Sequence, residues 1–238
     1  MVGGGPEGGL FRSEDGGDTW ARVSGGFPTG PVGRIGIVYC PSDPSVVYAS
    51  AVGPEGGIFR SADGGRSWER RNADIQSHWF YGELVCDPRD PDRLYVPMTP
   101  LHVSDDGGRT FTNLVRSAVH VDHHTLWVNP HDPDHLMVGN DGGIYVSRDR
   151  GVSWLWQSNV PVVQLYTVSV DMQEPFYWVY GGTQDNGSWG GPVGTRFGDG
   201  VANEDWLYTA GGDGFYSCLL YTSPSPRDRT RTRMPSSA

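Results

Sequence analysis

Apolar and polar positions alternate along this chain in short runs separated by turn residues, and residues 33–72 show the pattern at its clearest. The run "RIGIVYC" alternates and passes into "PSDPSV", a Pro-Asp turn; "VVYASAV" follows, then the glycine turn "GPEGG", then "IFRS", the turn "ADGG" and "SWERR". Each run is β-branched or aromatic, and each break carries the Gly, Pro, Asp or Ser chemistry that tight turns need. Four short strands in one repeat of this length predict a propeller blade.

The pattern recurs. "SEDGGDTW", "SADGGRSW", "SDDGGRTF" and a worn copy, "SRDRGVSW", begin at Ser13, Ser61, Ser104 and Ser147, so their starts are 48, 43 and 43 residues apart. A second marker, the Asp-Pro turn, keeps the same phase at Pro44, Pro91, Pro133 and, in a variant form, Pro175. Strand one is placed before each such proline, strand two after it, and the Ser-x-Asp-Gly-Gly turn between strands three and four. The expected organisation is a half blade over 1–25, blades over 33–72, 77–115 and 119–158, a degenerate blade over 164–200 and a stub over 205–216. The fold class is therefore all-β: an incomplete β-propeller, an open arc of about five four-stranded antiparallel blades.

The recurring turn has structural work to do. Asp15, Asp63, Asp106 and Asp149 accept hydrogen bonds from their own turns, the glycines permit positive φ, and Trp20, Trp68, Phe111 and Trp154 pack between sheets. A carboxylate that returns once per repeat is a fold marker rather than a catalytic group.

Composition narrows the function classes. With 35 glycines, 18 prolines and 12% aromatics in 238 residues, the chain suits many short strands joined by tight turns. A formal charge of −10 disfavours non-specific contact with nucleic acid or anionic membranes, so neither is an expected partner. No apolar run approaches the roughly 20 residues of a spanning helix, and "MVGGGPEGG" encodes no signal peptide. Cys40 and Cys86 read as buried thiols in neighbouring repeats, since no disulfide framework or zinc spacing is visible.

The repeated octapeptide resembles the Asp-box, or BNR, repeat. The longer stretches "HVDHHTLWVNPHDPDHLMVGNDGGIYVSRDRGVSW" and "VYGGTQDNGSWGGP" look like the bacterial sortilin-like propeller proteins, grouped with xyloglucanase-type glycoside hydrolases and photosystem II assembly factors. The resemblance covers roughly residues 4–216. It implies a propeller, exported in its full form to the periplasm or outside the cell, that binds a protein, peptide or glycan. A hydrolase and an assembly factor for a larger complex are the alternatives it carries.

Topology sorts the loops. In a four-stranded antiparallel blade the Asp-box and Asp-Pro turns share one rim, and the turns between strands two and three lie on the other. That second rim holds "GPEGG" (53–57), "GNDGG" (139–143) and "GTQDNG" (182–187), with the crossing "SAVHVDHH" (117–124). The ligand-binding candidates on it are His120, His123, His124, Asn140, Gln184, Asn186, Tyr166 and Trp189, with Trp79, Phe80 and Tyr81 nearby. Such aromatics stack on sugars or anchor peptides, whereas Trp127 and Trp178 are expected to fill blade interfaces.

Two chemistries are open to this rim. His120, Asp122 and His124 alternate, so all three side chains could point one way and hold a metal ion at the channel mouth; no other cofactor is expected. The competing reading has them bonding loop backbone, with His123 facing the other way. Asp122, Asp141 and Asp185 could supply the paired carboxyls of a glycosidase, although Asp beside Gly is also the ordinary material of turns. Binding is favoured over catalysis. A sialidase is disfavoured, because only Arg34 and Arg116 lie near and those enzymes cluster arginines.

Beyond residue 216 the repeat grammar stops. "SCLLYTSPSPRDRTRTRMPSSA" packs four arginines into residues 227–233 and resembles translated sequencing-adapter read-through. Residues 217–238 are expected to be disordered, and the chain reads as an internal piece of a longer propeller protein.

Overall fold

The computed structural model describes residues 4–214 except 6, 77–80, 116–118, 161 and 197; the tail over 217–238, Trp79, Phe80 and Arg116 fall outside the described residues. Two compact units divide the chain, Met1–Val160 and Pro161–Ala238. The described strands are all antiparallel and pair into one two-stranded and four four-stranded sheets.

In the first unit a two-stranded sheet, β1 (Phe11–Arg12) and β2 (Ala21–Arg22), precedes three complete ones. These are β3 (Ile35–Cys40), β4 (Asp43–Ala51), β5 (Gly57–Ser61) and β6 (Glu69–Asn72); β7 (Val85–Cys86), β8 (Leu94–Val96), β9 (His102–Ser104) and β10 (Thr112–Asn113); and β11 (His123–Val128), β12 (Leu136–Asn140), β13 (Gly143–Ser147) and β14 (Leu155–Trp156). Each pairs its strands in chain order, as successive hairpins dictate.

Three apolar layers lie between successive sheets. Val23 and Phe27 meet Val47, Ala49, Phe59 and Trp68; Tyr48 and Ile58 meet Leu84, Cys86, Leu94 and Val96; Tyr95, Leu101 and Val103 meet Leu126, Leu136 and Val138. The half sheet covers only part of its neighbour, so Phe11, Trp20, Ile37 and Tyr39 stay exposed. Trp20 thus departs from the expected packing role, which Trp68 fulfils, buried and edge-on to Phe27.

The turns between strands three and four carry one repeated hydrogen-bond set. In the copy at Ser61, the Asp63 carboxylate accepts from the Ser61 and Ser67 hydroxyls (2.7 and 2.6 Å) and from the Ser67 N–H (2.9 Å), and the Trp68 indole donates to the Gly65 carbonyl (3.0 Å). Asp15, Asp106 and Asp149 accept from the equivalent serine and from Thr19, Thr110 and Ser153. The Ser67 hydroxyl and N–H hold the Asp63 carboxyl well below the usual range. Amides of Gly64, Gly107 and Arg150 donate to carbonyls of Ser45, Asp92 and Asp134, which lie in the Asp-Pro turns of the same sheets. Both turn types therefore share a rim, and "GPEGG" and "GNDGG" lie at the opposite ends of the strands.

Cys40 and Cys86 are not thiols but form a disulfide, with Cα atoms 5.2 Å apart. Equal repeat positions would aim both side chains the same way, but the pairing of β3 with β4 shifts register between Tyr39 and Cys40. Cys40 thereby turns toward the next sheet and joins Cys86 in its apolar layer.

The second unit holds β15 (Leu165–Val170), β16 (Trp178–Thr183), β17 (Ser188–Pro192) and β18 (Leu207–Ala210), again paired in chain order. Leu207–Ala210, expected in a separate stub, is this sheet's fourth strand, pairing Tyr208 with Trp189. The expected blade end at 200 fails because a long insertion, with a short 3-10 turn at Asn203–Asp205, separates strands three and four. Among the described residues no helix is long and apolar enough to cross a membrane.

Candidate functional site

The crossing into the third complete sheet of the first unit does not run as an alternating strand. Asp122 has φ of +60°, in the left-handed region that a residue with a Cβ rarely adopts, and β11 starts only at His123. The turn breaks the expected alternation, so His120, Asp122 and His124 engage three different partners. The His120 ring Nδ1 lies 3.1 Å from the Val121 carbonyl, Asp122 accepts from Tyr81, and His124 Nε2 lies 2.8 Å from Asp141 Oδ1. These three do not form a cluster of metal-binding geometry among the described residues.

What does assemble is a second arrangement. Asp122 Oδ1 accepts from the Tyr81 hydroxyl at 2.5 Å and from the Thr99 hydroxyl, and those two hydroxyls lie 2.8 Å apart. The Tyr81 ring stacks on the His124 imidazole, with centroids 5.6 Å apart and planes 22° from parallel. The carboxylate oxygens of Asp122 and Asp141 come within 4.8 Å of each other. The hydrogen bonds from Thr99 and Tyr81 hold the Asp122 carboxyl below its usual range, while burial and the Asp122 carboxylate push the Tyr81 hydroxyl up.

Neighbouring residues brace this cluster. The Asn140 amide donates to the His120 carbonyl (2.8 Å), its oxygen accepts from the Gly142 N–H (2.9 Å), and the Trp156 indole donates to the Gly142 carbonyl (3.0 Å). Gly142 allows the close approach, since a Cβ there would lie 2.4 Å from the His120 Cβ. His123, expected among ligand-binding residues, is buried beside Asn140 and does not reach the surface; burial lowers its pKa to about 4. The remaining strand residue, Thr125, donates to Glu83 at 3.1 Å.

In the second unit the equivalent loop carries its own network. Tyr166 donates to Gln184 Oε1 (2.6 Å), the Asn186 amide donates to the Gln184 carbonyl (3.0 Å), and the Trp189 indole donates to the Asn186 carbonyl (2.8 Å) while its ring meets Tyr208 edge-on. Asp185, exposed with φ of +59°, donates its own N–H to Asp213. Trp178 stacks on Tyr180, whereas Trp127, expected inside a blade interface, is half exposed and edge-on to His135.

Sequence reasoning missed Thr99 and Glu83. Thr99 lies in a strand two to three turn, on the rim already singled out, so its rim was legible even though its partner was not.

Against known proteins, the chain is similar in fold to solved structures at low sequence identity. It overlays the GH74 xyloglucanase from Xanthomonas campestris with a TM-score of 0.53 at 17% identity, covering 83% of this chain and 36% of that one. An ancestral GH74 enzyme gives 0.48 at 12% identity over 84% of this chain and 28% of that one. YCF48 from Cyanidioschyzon merolae gives 0.40 at 16% identity over 73% and 55%. No protein-family profile and no curated protein matches the chain. The fold is thus that of a β-propeller, and the chain spans about a third of the length of the GH74 enzymes it overlays.

Proposed function

We propose that the chain is a ligand-binding propeller module that takes a protein, peptide or glycan on the rim opposite the Asp-box turns, through Tyr81, Asp122, His124 and Asp141. The observation that carries this reading is the state of Asp122. Two hydroxyl donors keep its carboxyl ionised, so it is a positioned acceptor rather than a proton donor. Asp141, His124 and the stacked Tyr81 ring complete a surface suited to donors and flat apolar groups.

A hydrolase of the xyloglucanase type is the second reading. It is favoured by the approach of the Asp122 and Asp141 oxygens to within 4.8 Å, close to the roughly 5–5.5 Å of retaining glycosidases. Within such a pair the lowered pKa of Asp122 suits it to the ionised nucleophile and not to the acid.

The test is an array of peptides and oligosaccharides probed with the chain and with its Asp122→Asn and Asp141→Asn variants. A ligand whose affinity falls about ten-fold or more in both variants, a change of about 1.4 kcal/mol, supports the binding reading. Ligands that bind all three chains equally sink it. Reducing-end release from xyloglucan that disappears in Asp122→Asn would replace it with the hydrolase.

A further inference from the structure

Asp87 and Asp171 hold one repeat position: each follows the last residue of its sheet's first strand, Cys86 or Val170, and stands four residues before the turn proline, Pro91 or Pro175. In each, Oδ1 accepts backbone N–H groups of its own turn, Arg89 (2.9 Å) and Asp90 (3.3 Å) for Asp87, Gln173 (3.1 Å) and Trp178 (2.8 Å) for Asp171. The second oxygens differ. Asp87 Oδ2 accepts from the Arg150 guanidinium at 3.0 Å, and Tyr95 of the second strand bonds the same guanidinium. Asp171 Oδ2 is buried with no hydrogen-bond partner among the described residues, although the side chain is only 5% exposed. Among the described residues only the hydroxyl of Tyr180, in the second strand as Tyr95 is, stands near enough to donate to that carboxylate, short of a close hydrogen bond to Oδ2, and no cation reaches it; burial and the Asp171 carboxylate push the hydroxyl up.

A buried carboxylate with no cation and no close donor on its second oxygen is a standing cost, removed when such a donor arrives. We infer that Asp171 and Tyr180 form a socket for an arginine side chain presented by a docking polypeptide, filling the place that Arg150 fills at Asp87 and Tyr95. Arginine fits better than lysine, because its planar fork can reach a carboxylate and a phenol oxygen together. The socket belongs to the rim of the strand one to two turns. It is built from residues of the second unit and shares none with the ligand surface proposed above, which belongs to the first.

The test is carbon NMR of the Asp171 carboxyl in the whole chain, titrated with N-acetyl-arginine amide and, separately, with N-acetyl-lysine amide. The expected result is a saturable shift with the arginine probe and binding of the lysine probe weaker by about five-fold or more. Asp171→Asn should abolish the arginine-dependent shift of the Tyr180 ring signals, and Tyr180→Phe should weaken arginine binding several-fold. An Asp171 signal that stays still in the unmodified chain, or moves equally with both probes, overturns the socket, as does an undiminished Tyr180 response in Asp171→Asn.

Discussion

Mild acid should destabilise this protein through one side chain, His123. The imidazole is 1% exposed, packed at the start of β11 with Asn140 Nδ2 lying 3.4 Å from its Nδ1. Burial is the main cause that lowers its pKa to about 4, with the Asp122 carboxylate opposing and His120 and His124 adding to the depression. In the unfolded chain the group titrates near 6.5. The folded value lies below the unfolded one, so between these two values the unfolded chain holds more protons. The stability conferred by burying the neutral ring is complete above about pH 6.5 and is lost as pH falls toward 4. A difference of about 2.5 units corresponds to about 3 kcal/mol, a large share of the 5–15 kcal/mol typical of a domain. Carboxylates held below their usual range, such as Asp63 and Asp122, lose their contribution only at lower pH, so the two windows separate. Urea unfolding at pH 7, 6, 5 and 4 should show the midpoint falling throughout this range in the natural chain and nearly flat in His123→Gln, which keeps an acceptor but cannot titrate. If the variant loses as much stability as the parent, or if proton NMR finds His123 titrating near 6.5, burial of a neutral imidazole is not the cause.

Other perturbations follow from the same geometry. Arg150→Ala should destabilise by about 2–4 kcal/mol in chemical unfolding, because Asp87 is fully buried and loses its cation; Arg150→Gly should be milder by about 1 kcal/mol, since Arg150 sits at φ of +60°. Replacing Cys40 and Cys86 together by alanine opens a link across 46 residues and should cost about 4 kcal/mol, with reductant giving a similar loss in the natural chain and none in the variant. Gly142→Ala would press a methyl group onto His120 and should cost about 1–3 kcal/mol, measured by thermal unfolding, while weakening any ligand that depends on His124 and Asp141.

The rims and sheets were legible in the sequence because they rest on local chemistry. A serine, an aspartate and two glycines close the turn at Ser61 with bonds that span at most four residues, so the octapeptide itself encodes the geometry. The worn copy shows how far this tolerance goes: Arg150 replaces a glycine, adopts positive φ, and the serine–aspartate bonds persist. Features that depend on where one sheet sits against another were not legible. The register shift at Tyr39 and Cys40 decides that two cysteines at like positions face each other, and no motif marks it. The insertion before Leu207 hid a fourth strand because glycine and acidic residues over 193–206 read as the end of a repeat.

The site shows the same division in smaller compass. Its rim was found by elimination from turn chemistry, but the pairing of its side chains was not, because the "HVDHH" run invites a period-two reading that Asp122 breaks with a left-handed backbone. That single turn buries His123, frees His124 to reach Asp141 and places Asp122 under Tyr81 and Thr99, which come from the preceding sheet. Residues from two sheets thus converge through one strained dihedral, and backbone strain of this kind persists only where surrounding contacts over-determine it. Here those contacts are the Asn140 and Tyr145 bonds to His120 and the two hydroxyls on Asp122. The binding surface is therefore a product of packing between sheets, built on turns whose own form each repeat carries in its sequence.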